Sequence, residues 1–320
     1  MKLKFKNLKK KLNSKSYQNR NGFTIVELLV GMTITLVIVG LLLSMTKIAI
    51  GAWQVSNNKV KASRLANEVF EIVGRDLEGL VIRSGNSFEW FDISENVISG
   101  EVLGPNPAEI INNSLELNFF TATPDRYNGQ IASSPGGDVS LVRYRLAFQD
   151  IVSGPNGEKP VYSLYRARVE PDVVFTNLLA ESNLSTALET LGQSDSIRDV
   201  QNILADNIYD FTIGFTFEFT IDDGTKVFER VTVQVGGSDN ALSIKGDDIL
   251  IGADRVPIQI PDGAAAPRIA SADISIFVLS DIGMKKLNVP GRPALSSEKF
   301  GEFLDEHGTS YTKSVLLPQP

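Results

Sequence analysis

The chain has no cysteine, so no disulfide closes its fold and no thiolate is available as nucleophile or metal ligand. It has one histidine, His307, which removes multi-histidine metal sites and nearly all histidine-based catalysis. No proline precedes Pro105, so none interrupts a helix before that point. No acidic residue precedes Glu27, and between residues 23 and 45 Glu27 is the only ionisable side chain. A Gly-x-Ser-x-Gly nucleophile elbow is absent. The stretch Gly154-Pro155-Asn156-Gly157-Glu158-Lys159 ends at Pro160, where a phosphate loop needs Ser or Thr, and it reads as a turn.

What is present begins with a basic leader. Residues 1–22 carry eight basic side chains, Lys2, Lys4, Lys6, Lys9, Lys10, Lys11, Lys15 and Arg20. Without them the chain holds 23 basic against 38 acidic residues, near −15. A body this acidic repels phosphate backbones and argues against nucleic acid as a partner. Residues 23–45 form an apolar run of membrane-spanning length, since a helix rises about 1.5 Å per residue and the bilayer core is about 30 Å thick. The Lys/Arg excess on its N-terminal flank puts the leader in the cytoplasm and the C-terminus outside. A secretory signal would end in a small-residue cleavage site after the run, and none is evident. A carboxylate inside such a run costs several kcal/mol unless it finds a partner, roughly. Glu27 is therefore a candidate functional residue.

Beyond Trp53 the pattern becomes amphipathic. Ala62, Leu65, Ala66, Val69, Ile72, Val73, Leu77 and Leu80 recur at three and four residue steps, with Lys61, Arg64, Glu68, Glu71, Arg75 and Glu78 between them. One helix from Thr24 to about Val81, about 85 Å long, accounts for both patterns. Its second half is expected to pack its apolar stripe on a sheet.

From about Arg83 strands and turns take over. Strands are expected over 87–93, 115–119, 142–148, 161–169, 211–219, 226–235, 274–279 and 311–317. The turn at 154–160 makes a hairpin of 142–148 and 161–169, and Asp222-Asp223-Gly224 makes one of 211–219 and 226–235. Helices are expected over 178–191 and 298–306. Residues 236–247 and 261–267 read as loops.

The sequence Gly22-Phe23-Thr24-Ile25-Val26-Glu27-Leu28-Leu29-Val30 after a basic leader resembles the type IV prepilin family, the precursors of pili and of type II secretion pseudopilins. In the body, Val142-Arg143-Tyr144-Arg145-Leu146, Leu164-Tyr165-Arg166, Leu204-Ala205-Asp206-Asn207-Ile208 with Phe211, and Ala272-Asp273-Ile274-Ser275-Ile276 follow the order of large minor pilins. That order resembles J-type minor pseudopilins and W-type minor pilins. The size and plan are also similar to those of pilin-like cassette proteins of Verrucomicrobia. The body is longer than in typical members, and the disulfide many pilins carry is missing.

The resemblance implies an α+β, pilin-like fold: a leader at 1–22, a transmembrane and amphipathic helix at 23–82, and a β-rich body at 83–320. It implies cleavage by a prepilin peptidase after Gly22, N-methylation of Phe23, and pairing of Glu27 with the terminal amine of a neighbouring subunit. A buried cation and a buried carboxylate each relieve the other's desolvation cost. The implied partners are other minor pilins or pseudopilins and a major pilin. The implied location is the inner membrane, with the body periplasmic, and then a filament. On this reading the chain is a structural subunit of a filament tip or priming complex, not an enzyme, and needs no cofactor. Asp222-Asp223 and Asp247-Asp248 are the only residues that suggest calcium, and solvated turn acids explain them. The alternative is a membrane-anchored extracytoplasmic binding or enzymatic domain. His307 is expected at a helix end on the surface, where a partial positive charge is favourable. Trp53 is expected at the membrane interface, and Trp90 and Phe91 in the core.

Overall fold

The computed structural model describes residues 22–97, 113–122, 138–152, 159–222, 224–233, 235, 240–258, 267–289 and 292–318. The chain divides into two compact units, the first ending at Val55 and the second beginning at Ser56. One helix, α1 (Ile25–Glu78), enters both. Every residue from Phe23 to Ser56 is exposed, whereas Ala66, Val69, Phe70, Val73, Gly74, Asp76 and Leu77 are buried. The expected apolar stripe is therefore the face that packs.

The second unit is built on two antiparallel sheets. The larger contains β1 (Glu89–Val97), β2 (Asn113–Ala122), β3 (Val139–Gln149), β4 (Val161–Val169), β5 (Ile203–Asp206), β8 (Leu242–Lys245), β9 (Asp248–Ile251) and β10 (Val256–Pro257), in the order β10-β9-β8-β1-β2-β3-β4-β5. The smaller contains β6 (Ile208–Thr220), β7 (Lys226–Val233), β11 (Arg268–Leu279) and β12 (Gly308–Leu316), in the order β12-β11-β6-β7. Short helices α2 (Pro171–Asn177), α3 (Leu184–Thr190) and α4 (Gln193–Ser196) lie between β4 and β5, and α5 (Asp281–Leu287) and α6 (Ser297–His307) between β11 and β12.

The two sheets share one aromatic core. Phe91, Phe119 and Tyr144 stack across β1, β2 and β3, and Phe215 and Phe211 of β6 meet them, with Phe91 and Phe215 edge to face at 5.2 Å. Such ring pairs add to the burial term, by about 0.5–1.5 kcal/mol each. The buried stripe of α1 belongs to the same cluster.

The end of α1 is pinned to the large sheet by polar contacts. Asp76 accepts from Arg166 through a two-pronged pair, Nε to Oδ2 at 2.7 Å and Nη2 to Oδ1 at 2.9 Å, and from the Tyr144 hydroxyl. Burial, and next the Asp76 charge, push the Tyr144 hydroxyl well above its ordinary pKa, so it stays a donor. Beyond Glu78, the Gly79 carbonyl accepts from Ala122 N at 2.7 Å, and Val81 N donates to Phe120 O at 2.9 Å. Gly79 permits this approach: a Cβ there would lie 2.6 Å from Thr121 Oγ1 and 3.3 Å from Ala122 O.

Most expected strands are present, and both predicted hairpins pair as strands. β3 pairs with β4 from Leu141↔Val169 to Gln149↔Val161, and β6 with β7 from Ile213↔Val233 to Thr220↔Lys226. Residues 153–158 of the first turn and Asp223 of the second lie outside the described residues, as does most of the loop read at 261–267.

Three expectations need correction. The helix expected over 178–191 is shorter: only α3 lies within that range, and α2 ends ahead of it at Asn177. α2 starts earlier, with Pro171 in its first turn, and α3 starts afresh at Asn183, whose side chain accepts from Thr186 N at 2.8 Å. Between them the Glu181 carbonyl accepts from Glu89 N at 2.9 Å, which ties the break to β1. The stretch read as a loop over 236–247 contains β8. Its Leu242, Ser243 and Ile244 pair with Ile93, Asp92 and Phe91, and its Lys245 pairs across a two-residue turn with Asp248 of β9. Finally, α5 was not foreseen; Ser280 caps it by accepting from Gly283 N at 3.1 Å.

Candidate processing and assembly site

Gly22, Phe23 and Thr24 precede the first helical residue, Ile25. Thr24 forms a reciprocal cap with Glu27. Its Oγ1 accepts from Glu27 N at 3.2 Å, while Glu27 Oε2 accepts from Thr24 N at 2.9 Å and from Thr24 Oγ1 at 2.9 Å. The first intrahelical bond runs from Leu28 N to Thr24 O at 3.1 Å. This is a capping box, in which two backbone donors at the helix start are satisfied by side chains three residues apart. Phe23 is 84% exposed, and a Cβ on Gly22 would meet nothing within 4 Å.

The helix behind this cap is long and apolar enough to cross a membrane, and its apolar part is exposed. Three threonine hydroxyls inside it are satisfied within the helix. Thr33, Thr35 and Thr46 donate to Val30, Gly31 and Leu42 carbonyls at 2.7–2.8 Å, so they carry no unmet hydrogen bond into an apolar phase.

Residues 17–43 match the family model of the prokaryotic N-terminal methylation motif. That motif is characteristic of type IV prepilin-like proteins. It spans all three residues singled out from the sequence, Gly22, Phe23 and Glu27; the hydrogen bonds add Thr24, to which that reading gave no role. The spacing Thr24-x-x-Glu27 before an apolar run is itself a capping-box signature and was the available signal. No curated protein and no solved structure matches the chain. In a prepilin-like chain the motif implies a peptidase that removes the leader and other pilin subunits as assembly partners, and the apolar helix has the length and composition of a membrane anchor.

Other residues named from the sequence lie elsewhere. Asp247 is tied to the backbone, accepting from Gly85 N at 3.0 Å; among the described residues no three His, Cys, Asp or Glu side chains form a group able to hold a metal ion. His307 ends α6 as expected but is half-buried. Its ring meets Phe303 edge-on at 4.8 Å, and its Nε2 lies 2.9 Å from Lys286 Nζ. Burial, and then Lys286, hold its pKa below the ordinary value, so the positive charge expected there is disfavoured. Trp53 is exposed in the first unit. Trp90 and Phe91 are in the core, with Trp90 Nε1 donating to Gly246 O at 2.9 Å.

Strand alternation alone did not announce a buried ionic face. On the large sheet, Asp92, Asn118 and Arg143 sit in register across β1, β2 and β3, beside Ser94, Glu116 and Arg145. Arg143 bridges Glu116 at 2.5 Å, and Asp92 holds Arg255 at 2.7 Å and Ser185 Oγ at 2.8 Å. Glu89 accepts from Leu184 N at 2.5 Å and from Ser243 Oγ. Burial, reinforced by Asp92, raises the Glu89 pKa. Arg255 reaches this pair from a left-handed backbone, φ 53°, a conformation that costs a non-glycine residue about 1 kcal/mol or more. Through Leu184 N and Ser185 Oγ, Glu89 and Asp92 tie α3 to the sheet as its cover.

Proposed function

We propose that the chain is a minor pilin or pseudopilin, a structural subunit of a filament tip or of the complex that primes assembly. The observation that carries this reading is the methylation motif at residues 17–43 opening a capped helix whose apolar first half is exposed. A prepilin peptidase cleaves after Gly22, Phe23 becomes the N-methylated mature terminus, and Glu27 pairs with the terminal amine of a neighbouring subunit. An exposed carboxylate on an otherwise apolar face supports that pairing, because packing the helix among others or in lipid desolvates the charge unless a cation meets it. The basic leader supports a cytoplasmic N-terminus and a periplasmic body. The size of the β-rich unit favours a tip position, since a bulky body is hard to repeat along a filament. The role is structural rather than catalytic: the buried ionic groups of the body are tied to one another and to backbone.

N-terminal peptide mass spectrometry on protein from native membranes tests the reading. A terminus at N-methyl-Phe23 is expected. An intact leader in cells with active peptidase, or a terminus beyond residue 45, overturns it. Glu27→Ala is expected to abolish incorporation into filaments; normal incorporation of that variant removes the role assigned to Glu27.

A further inference from the structure

We propose that Thr24 is a positioning residue for leader removal: the Thr24–Glu27 capping box stops the helix at Ile25 and keeps the Gly22–Phe23 peptide outside it. The inference rests on the pilin reading and concerns how the scissile bond is presented.

The argument starts from helix physics. An apolar helix at a membrane surface gains by extending, because each added turn satisfies donors that would otherwise face an apolar phase. Something must stop it before the cleavage point. Here a cap residue does so, since an N-cap carries non-helical backbone angles while its side chain takes over the orphan donors. Thr24 does this with Glu27 through three hydrogen bonds of 2.9–3.2 Å. The bond between Gly22 and Phe23 then lies one residue ahead of the cap, exposed and outside the helix. Peptidases act on backbone that is accessible and not engaged in secondary structure. The open space around Gly22 carries a second point. Among the described residues nothing crowds that position, so its lack of a side chain serves the peptidase rather than packing against them.

The box also separates two duties that fall on Glu27. Glutamine at the third helical position completes a capping box as glutamate does, but carries no charge. Glu27→Gln therefore keeps the helix boundary and loses the ion pair. Thr24→Ala does the reverse: alanine is the best helix former and a poor cap, so the helix is free to run back through Phe23 and Gly22 while the carboxylate remains. Thr24→Ser restores a capping hydroxyl.

The test is a time course of leader removal from the full-length chain in phospholipid vesicles with purified prepilin peptidase, read as a mass shift, for the native chain and the three variants. The native chain, Thr24→Ser and Glu27→Gln are expected to be cut at similar rates. Thr24→Ala is expected to be cut about fivefold more slowly, the effect of an N-cap of ordinary strength on a local helix equilibrium. The loss should fall on the catalytic rate more than on KM, because the leader that binds the enzyme is unchanged. Equal cleavage of Thr24→Ala and the native chain overturns the positioning role and leaves the pilin reading standing. A Thr24→Ser variant as slow as Thr24→Ala also overturns it, because the hydroxyl would then not be what matters. A native chain that is not cut at all overturns both.

Discussion

At the residue scale, carboxylates in this chain differ by what meets them. Asp76 is matched by a two-pronged guanidinium, Glu116 by Arg143, and Asp92 by Arg255. Glu89 hydrogen-bonds neutral donors, has Arg255 only at 3.8 Å and a second carboxylate close by, and burial raises its pKa. The consequence for stability has a definite sign. A folded-state pKa above the unfolded value near 4.5 means that the folded chain binds the proton more tightly. The contribution of Glu89 is therefore fully present below the unfolded value and is lost as pH rises through the folded one. Glu89→Gln retains an acceptor for Leu184 N and a donor for the Ser243 hydroxyl. Its unfolding free energy is expected to exceed that of the native chain at neutral pH, with the difference shrinking toward acid. Denaturant titrations of both chains between pH 4 and 8, roughly the range over which a raised carboxyl titrates, check this. A gap that widens toward acid would reverse the assignment.

At the scale of elements, the junction after α1 is where a helix is converted into a sheet partner. Leu80 bridges Thr121, and the carbonyl of Gly79 meets β2. Thr121 Oγ1 is held in place by its bond to the Asp76 carbonyl at 2.9 Å, so it cannot swing away from a new methyl group. Gly79→Ala is expected to cost about 1–3 kcal/mol, the range for inserting a group into a packed contact. The double variant with Thr121→Ala should recover part of that loss, which a double-mutant cycle measures. Additive losses would mean that the contact at Thr121 is not the obstacle. The elements that escaped sequence reading share a cause. β8 and β9 are four residues each and flank a Gly-Asp turn, so their composition resembles a loop. They become strands because β1 offers an open edge and Trp90 anchors the turn through Gly246 O. The break between α2 and α3 was hidden because Leu178, Leu184 and Leu188 are all buried and mimic one continuous apolar face.

At the scale of the whole molecule, the unit from Ser56 onward has its own core, shared by both sheets and the later part of α1. Residues 56–320 hold 22 basic and 37 acidic side chains, a net charge near −15 that favours solubility. A chain beginning at Ser56 is expected to be soluble and to unfold in one transition. Trp90 is its only tryptophan, because the other, Trp53, lies upstream. Buried and hydrogen-bonded, Trp90 should emit at short wavelength in the folded unit and shift to the red on unfolding, in step with circular dichroism. Separate transitions by the two probes would mean that the sheets do not share one cooperative core.

The N-terminal site was legible almost entirely from sequence, because its information is local. A capping spacing, an apolar run and a single acid within it need no distant partner to be recognised, and α1 follows from periodicity without interruption by proline. Strand positions were legible for the same reason wherever alternation ran over several residues. What tertiary structure alone decided is which sides of those strands are covered. Asp92, Glu116, Arg143 and Arg145 alternate with apolar neighbours as a solvated face would, yet they are buried, Asp92 meeting α3 through Ser185 and Arg143 meeting α4 through the Gln193 carbonyl. Their burial depends on partners tens of residues away in the chain, since each charge is tolerable in the interior only where a counter-charge or a backbone group meets it. That pairing is a property of the assembled sheets, not of any one segment.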